Sequence, residues 1–220
     1  MSTKHKHAVI ATDVVIFTIE EGELKVLLIK MKKSPYQKHW AVPGGLVRGD
    51  EALDDSARRH LADKTGLRNL YLEQLAAFGE PKRDPFGRVV SVAYFALIPV
   101  GTRELKTTEE YGGVAWFPIK RLPPLAYDHK AIVGEALARL KAKLEYTNIV
   151  YGLMPSEFTL TELQRVYEII LDRSLDKRNF RKKILELKVI VSAKGKRAGA
   201  YRPAQLYRFK EHKPVFVEVL

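Results

Sequence analysis

Residues 45–67 read GLVRGDEALDDSARRHLADKTGL, and the fold turns on their spacing. A short strand over 39–42 runs through Pro43 into Gly44-Gly45, and a helical stretch over about 52–65 is ended by Gly66. Glu51, Arg59, Leu61 and Leu67 stand at fixed intervals behind Gly45. Positions 60, 63 and 64 lie three and four apart, so one helix face presents His60, Asp63 and Lys64 together.

Outward from this segment, apolar β-rich runs at 9–19 and 24–31 flank Glu20-Glu21-Gly22-Glu23, a hairpin turn. Strands are expected at 71–78, 89–98 and 113–119, with a turn-rich loop over 81–87 and a helix over 127–144. Mixed strands with two helices predict an α/β layered domain over 1–145. Trp40, Phe78 and Tyr94 read as core. Lys82, Arg83 and Arg88 border a presumed pocket; their donors suit a pyrophosphate or dress a solvated hairpin tip.

Beyond Tyr146 the pattern changes, and 146–220 reads as a second domain. Residues 146–155 form a connector or short helix. Thr159 and Glu162 form a capping box for a helix over 160–171, with Phe158 and Leu163 at the staple positions. Asp176 caps a second helix over 177–187, stapled by Leu175 and Phe180. Strands at 188–192 and 205–209 surround a loop, 193–204. Helix–turn–helix followed by a hairpin is the winged helix arrangement. On the second helix, Phe180, Ile184 and Leu187 share the inward face; Arg178 and Lys182 point away, with Asn179 and Arg181 on the flanks. Arg and Asn in such a first turn suit base edges. Arg178, Asn179, Arg181, Lys182 and Lys183, with Lys194, Lys196, Arg197 and Arg202 after them, form the candidate nucleic-acid surface.

Composition bounds the function. Of 220 residues, 46% are hydrophobic and 29% charged, an ordinary globular mix. The formal charge is +12. Residues 173–213 hold 14 basic and 3 acidic residues, so nearly all of the excess sits there and a polyanionic partner follows. Cysteine is absent, which excludes disulfides, thiolate zinc sites and a cysteine nucleophile. The longest apolar, charge-free stretch, 89–102, is too short to span a bilayer. Residues 1–7 lack the apolar core of a secretory signal, so a cytoplasmic protein with no membrane partner is expected.

Gly45, Glu51, Arg59, Leu61, Gly66 and Leu67, with the preceding Trp40-Ala41-Val42-Pro43-Gly44, resemble the Nudix box. The resemblance implies an α/β/α sandwich with a mixed sheet. It also implies three helix glutamates, which hold divalent cations through oxygen. Their positions here carry His60, Asp63 and Lys64, which have no net formal charge when His60 is neutral. At a contact distance of ~4 Å, a like charge costs a metal ion about 4 kcal/mol at an effective dielectric near 20. The pocket is therefore expected to persist while the hydrolase is lost or crippled. Glu51, Arg59, Asp63, Arg83 and Arg88 are its candidate ligand-binding residues. Glu51 and Arg59 also pin the loop to the helix, and Asp63 stays open as a residual metal ligand.

Both halves together resemble Nudix-related transcriptional regulators of the NrtR type. The likeness extends to residues 74–79, 83–88, 91–94 and 126–129, and in the second half to 158–165, 175–183 and 202–207. It implies a homodimeric repressor of NAD-metabolism or related genes, bound to a palindromic double-stranded DNA operator. ADP-ribose, a small nucleotide effector, releases it, and no cofactor is required. A working Nudix hydrolase with its own DNA-binding domain, or a non-catalytic adaptor for RNA or protein, are the alternatives.

Overall fold

A seven-stranded sheet forms around two strands that are apolar on both faces. The computed structural model describes residues 7–68, 70–99, 105–197 and 203–217. Strand β1 (Val9–Glu20) is buried without a break from Ala11 to Ile19, and β2 (Glu23–Lys30) from Leu24 to Ile29. Such runs occur where both faces of a sheet are covered. Glu21 and Gly22, both at positive φ, turn one strand into the other.

The further strands are β3 (Trp40–Ala41), β4 (Gly44–Leu46), β5 (Tyr71–Phe78), β6 (Val89–Leu97) and β7 (Val114–Pro118). The main path runs β3-β2-β1-β6-β5, with β4 paired to β1 and β7 to β2. Helix α1 (Leu53–Thr65) carries the segment that opened the sequence reading. Gly66 ends it at φ 77°, in the left-handed region where a Cβ is penalised, and its N–H closes on the Ala62 carbonyl. Helix α2 (His129–Tyr146) starts two residues later than expected, because Tyr127 has φ 53° and cannot belong to a right-handed helix. It buries Ile132, Ala136, Leu140 and Leu144.

The stretch read as a connector is a 3-10 helix, Ile149–Leu153, whose Ile149 and Val150 are fully buried. Then come α3 (Leu160–Leu171), α4 (Lys177–Glu186) and the hairpin β8 (Ile190–Arg197) and β9 (Ala204–Phe209). Both strands extend into the expected loop: Lys196 pairs with Gln205 and Arg197 with Ala204, beyond a register shift that starts at Ser192. The Gln205 amide donates to the Ala193 carbonyl at 2.9 Å and supports the irregular stretch.

The chain divides into two compact units. One takes residues 1–17, 25–96 and 103–136; the other takes 18–24, 97–102 and 137–220.

Candidate functional site: a Nudix pocket and a nucleic-acid interface

In the first unit a cavity of about 1000 Å³ opens beside α1, β4 and the loop over 81–88. It is large enough for a dinucleotide-sized ligand. Four of the five expected ligand-binding residues, Arg59, Asp63, Arg83 and Arg88, line it; Glu51 is not among the lining residues. Instead Glu51 binds the guanidinium of Arg59 through both carboxylate oxygens and accepts the Arg48 N–H at 2.8 Å. Arg59 holds the Glu51 carboxyl down at about 2. This pair joins the loop before α1 to the helix, as the pinning role required.

His60 and Lys64 fill the face where a Nudix box has carboxylates. The His60 ring lies so close to Gly45 that a Cβ there would meet it at 2.6 Å, so residue 45 has no room for a side chain. Burial, then the Lys64 charge, lower the His60 pKa. The neutral ring donates from Nε2 to the Leu46 carbonyl at 3.2 Å. Lys64 donates to the Gly44 carbonyl, and its Nζ lies 4.9 Å from the centre of the Tyr111 ring. Asp63 is exposed.

Arg83 lines the cavity with its donors already shared with carboxylates. It sits at no solvated tip: its side chain is 3% exposed. Nε and Nη2 donate to Asp128 at 2.9 and 2.7 Å, and Nη2 also reaches Asp13 at 3.3 Å. Asp13 accepts the Ser91 hydroxyl at 2.6 Å, and its other oxygen lies 3.6 Å from His129 Nε2. The Val42 N–H donates to His129 Nδ1 at 3.1 Å, which leaves the proton of a neutral ring on Nε2, facing Asp13. Burial lowers the His129 pKa and keeps the ring neutral. A buried carboxylate is tolerable when paired this fully. Arg88, by contrast, is exposed and donates to the Gly79 carbonyl at 2.7 Å.

Sequence reasoning missed the apolar wall of this cavity. Ile29, Met31, Tyr36, Tyr111, Tyr127 and Phe86 line it. Tyr36 and Tyr127 pack at 4.4 Å between ring centres, and Phe86 is 72% exposed. The available signal was the run Ala126-Tyr127-Asp128-His129, quoted above for its resemblance without a role for each residue. Trp40, Phe78 and Tyr94 do not line the cavity. Trp40 packs against Phe117 at 4.5 Å, and Tyr94 is buried with its hydroxyl donating to Asp54 at 2.6 Å.

In the second unit both caps form as the spacing required. Glu162 N–H donates to the Thr159 hydroxyl at 3.2 Å while Thr159 N–H donates to the Glu162 carboxylate at 2.7 Å. Asp176 accepts the Asn179 N–H at 2.8 Å. An unforeseen pair fixes the turn between α3 and α4: Glu168 accepts Leu175 N–H and Gln164 Nε2, each at 3.0 Å. Phe180 and Ile184 are buried, and Phe180 meets Tyr167 edge-on at 5.3 Å.

Arg178, Asn179 and Lys182 are exposed on α4, and Lys194 on β8; Lys183 is half-buried. Two arginines expected on the nucleic-acid surface also make bonds within the protein. Arg181 is half-buried and donates to the Thr161 hydroxyl at 3.0 Å. Arg197 binds the Glu162 carboxylate and reaches the Glu157 carbonyl at 3.3 Å. Lys196 lies on β8, and Arg202 falls outside the described residues.

A family model of the NUDIX domain matches residues 9–140, and one of the NrtR DNA-binding winged helix domain matches residues 150–209. The chain belongs to the NrtR family. Like other NrtR proteins it is a DNA-binding transcriptional regulator, with the Nudix fold ahead of a winged helix. An ADPR responsive transcriptional repressor, NtrR, of Acinetobacter baylyi is 42% identical over 201 residues, 90% of this chain and 80% of the relative. The crystal structure of Shewanella oneidensis NrtR complexed with a 27mer DNA matches at TM-score 0.78 and 31% identity, covering 91% of this chain and 93% of that one. The NUDIX domain of the same protein, complexed with ADP ribose, matches at TM-score 0.56 and 33% identity, covering 64% and 94%. The Nudix half is also similar to an ADP-ribose pyrophosphatase of Methanocaldococcus jannaschii, 33% identical over 129 residues, 59% of this chain and 73% of that enzyme.

Proposed function

We propose that this NrtR-family regulator is a cytoplasmic homodimeric repressor of NAD-metabolism or related genes, released from its operator when ADP-ribose enters a Nudix pocket that does not hydrolyse it. The effector-binding domain runs over 1–145 and the DNA-binding domain over 146–220. One observation carries the reading: the helix face that a Nudix hydrolase needs for metal holds a buried neutral imidazole and an ammonium bonded to Gly44. Metal-assisted attack on a pyrophosphate requires charge neutralisation by the ion. An ammonium in that place repels the ion, and Asp63 alone offers one carboxylate. The surrounding cavity keeps cationic and aromatic walls suited to a nucleoside diphosphate.

Arg59, Asp63, Arg83 and Arg88 are the ligand-facing groups. Glu51 belongs with them as the residue that sets Arg59, and Arg83 shapes the pocket through Asp13 and Asp128. On DNA, Arg178 and Asn179 read bases, with Lys182 and Lys183 beside them. Lys194, Lys196 and Arg202 meet phosphates. Arg181 and Arg197 position α4 and the wing on the first turn of α3. No described helix is long and apolar enough to cross a membrane.

The test is a gel shift with the DNA upstream of the protein's own gene, with and without ADP-ribose, beside an assay for AMP release in Mg²⁺. A shifted band abolished by ADP-ribose without turnover is expected. Turnover at several per second, the range of competent enzymes, would establish a hydrolase instead.

A further inference from the structure

The Nudix fold implies a divalent cation, and the residues of this pocket do not fit one. Among the described residues, no three His, Asp or Glu side chains are grouped to hold a metal. We propose that the Lys64 ammonium is the resident cation of the pocket, bonding the diphosphate of the ligand in the place of a metal, so that recognition is metal-independent. This rests on the effector reading above and names the chemistry of that same site.

Two contacts fix the ammonium. The Gly44 carbonyl takes one of its three donors, and the face of Tyr111 lies 4.9 Å away. Both bonded partners are neutral; Glu110, Asp13 and Asp63 act on the ammonium only through space, so two of its donors are left for an anion. The other cations of the lining are largely balanced. Arg59 is bonded to Glu51, Arg83 to Asp13 and Asp128, and Lys33 lies 3.5 Å from Glu110. Among the described lining cations, Lys64 and Arg88 alone bond to backbone carbonyls and to no carboxylate. A diphosphate is a short, doubly charged group that calls for two such unbalanced donors. Burial also lowers the Lys64 pKa by stripping water from the ammonium, and an incoming anion replaces the lost solvation. Lys64 hangs from the last turn of α1 and so sits on a rigid element.

The experiment is calorimetric titration of ADP-ribose into the full chain, once in EDTA and once in Mg²⁺. Wild-type affinity should agree within about twofold between the two buffers, a difference well under 1 kcal/mol. Lys64→Met should weaken binding about ten- to a hundredfold, the worth of a charged hydrogen bond. Lys64→Gln, which keeps a donor for Gly44 but no charge, should lose as much, and Lys64→Arg should retain most of the affinity. Adenosine, which has no phosphate, should bind wild type and Lys64→Met alike. Binding of wild type only with Mg²⁺, or wild-type affinity in both uncharged variants, would overturn the assignment while leaving ADP-ribose as effector. No binding of ADP-ribose to wild type in either buffer would remove the effector reading, and the role of Lys64 with it.

Discussion

The two halves of the chain use positive charge in opposite ways. In the Nudix half two pocket arginines turn inward: Arg83 is enclosed by Asp13 and Asp128, and Arg59 is bonded to Glu51. In the winged helix half Arg178, Lys182 and Lys194 face solvent. Charge fixed by buried carboxylates shapes a cavity and responds little to salt. Charge held in solvent makes a field that ions screen and DNA phosphates satisfy. The first arrangement suits a small ligand chosen by geometry, the second a polymer attracted by charge.

The strongest way to break this contrast is to remove Arg83. Arg83→Ala strands Asp13 in the interior and should destabilise the Nudix half by about 3–5 kcal/mol. Urea unfolding followed by a probe in that half measures it, and a loss below 1 kcal/mol would mean that the buried cluster is not structural. Next comes Arg178→Ala, which should cost about 1–3 kcal/mol on the operator and little on random duplex. Equal losses on both, by fluorescence anisotropy, would move Arg178 to the phosphate contacts. Lys194→Ala should weaken both duplexes alike and lower the salt slope by about 1; an unchanged slope would show that it contacts no phosphate.

The smallest effect appears only in acid. The Glu51 carboxyl is lowered from 4.5 to about 2 in the folded protein, so its contribution is complete above 4.5 and is lost as pH falls towards 2. Thermal unfolding of Glu51→Gln should therefore show a flatter acid limb than wild type, and parallel limbs would contradict the pairing with Arg59.

Local signals in the sequence transferred well. The caps at Thr159 and Asp176 and the stop at Gly66 depend on neighbours within a few positions, and each formed as its spacing required. The shared helix face of residues 60, 63 and 64 was visible for the same reason. Partnerships across the chain were not. Arg83 looked like a loop cation because Asp13 and Asp128 stand 70 and 45 positions away. Arg197 looked free because its carboxylate partner, Glu162, is 35 positions upstream. The aromatic wall draws on four separate segments, and no periodicity marks it.

Glu162 performs two tasks with its two oxygens: one closes the start of α3 and the other holds Arg197 of the wing. If the wing contacts DNA as proposed, it does so with part of its motion already surrendered during folding. Ordering a loose basic strand on the duplex would cost entropy at the moment of association, and here some of that cost has moved to an earlier step. Calorimetry of operator binding should then show a less unfavourable entropy for wild type than for Glu162→Ala, with the difference residing in the motion of the unbound protein.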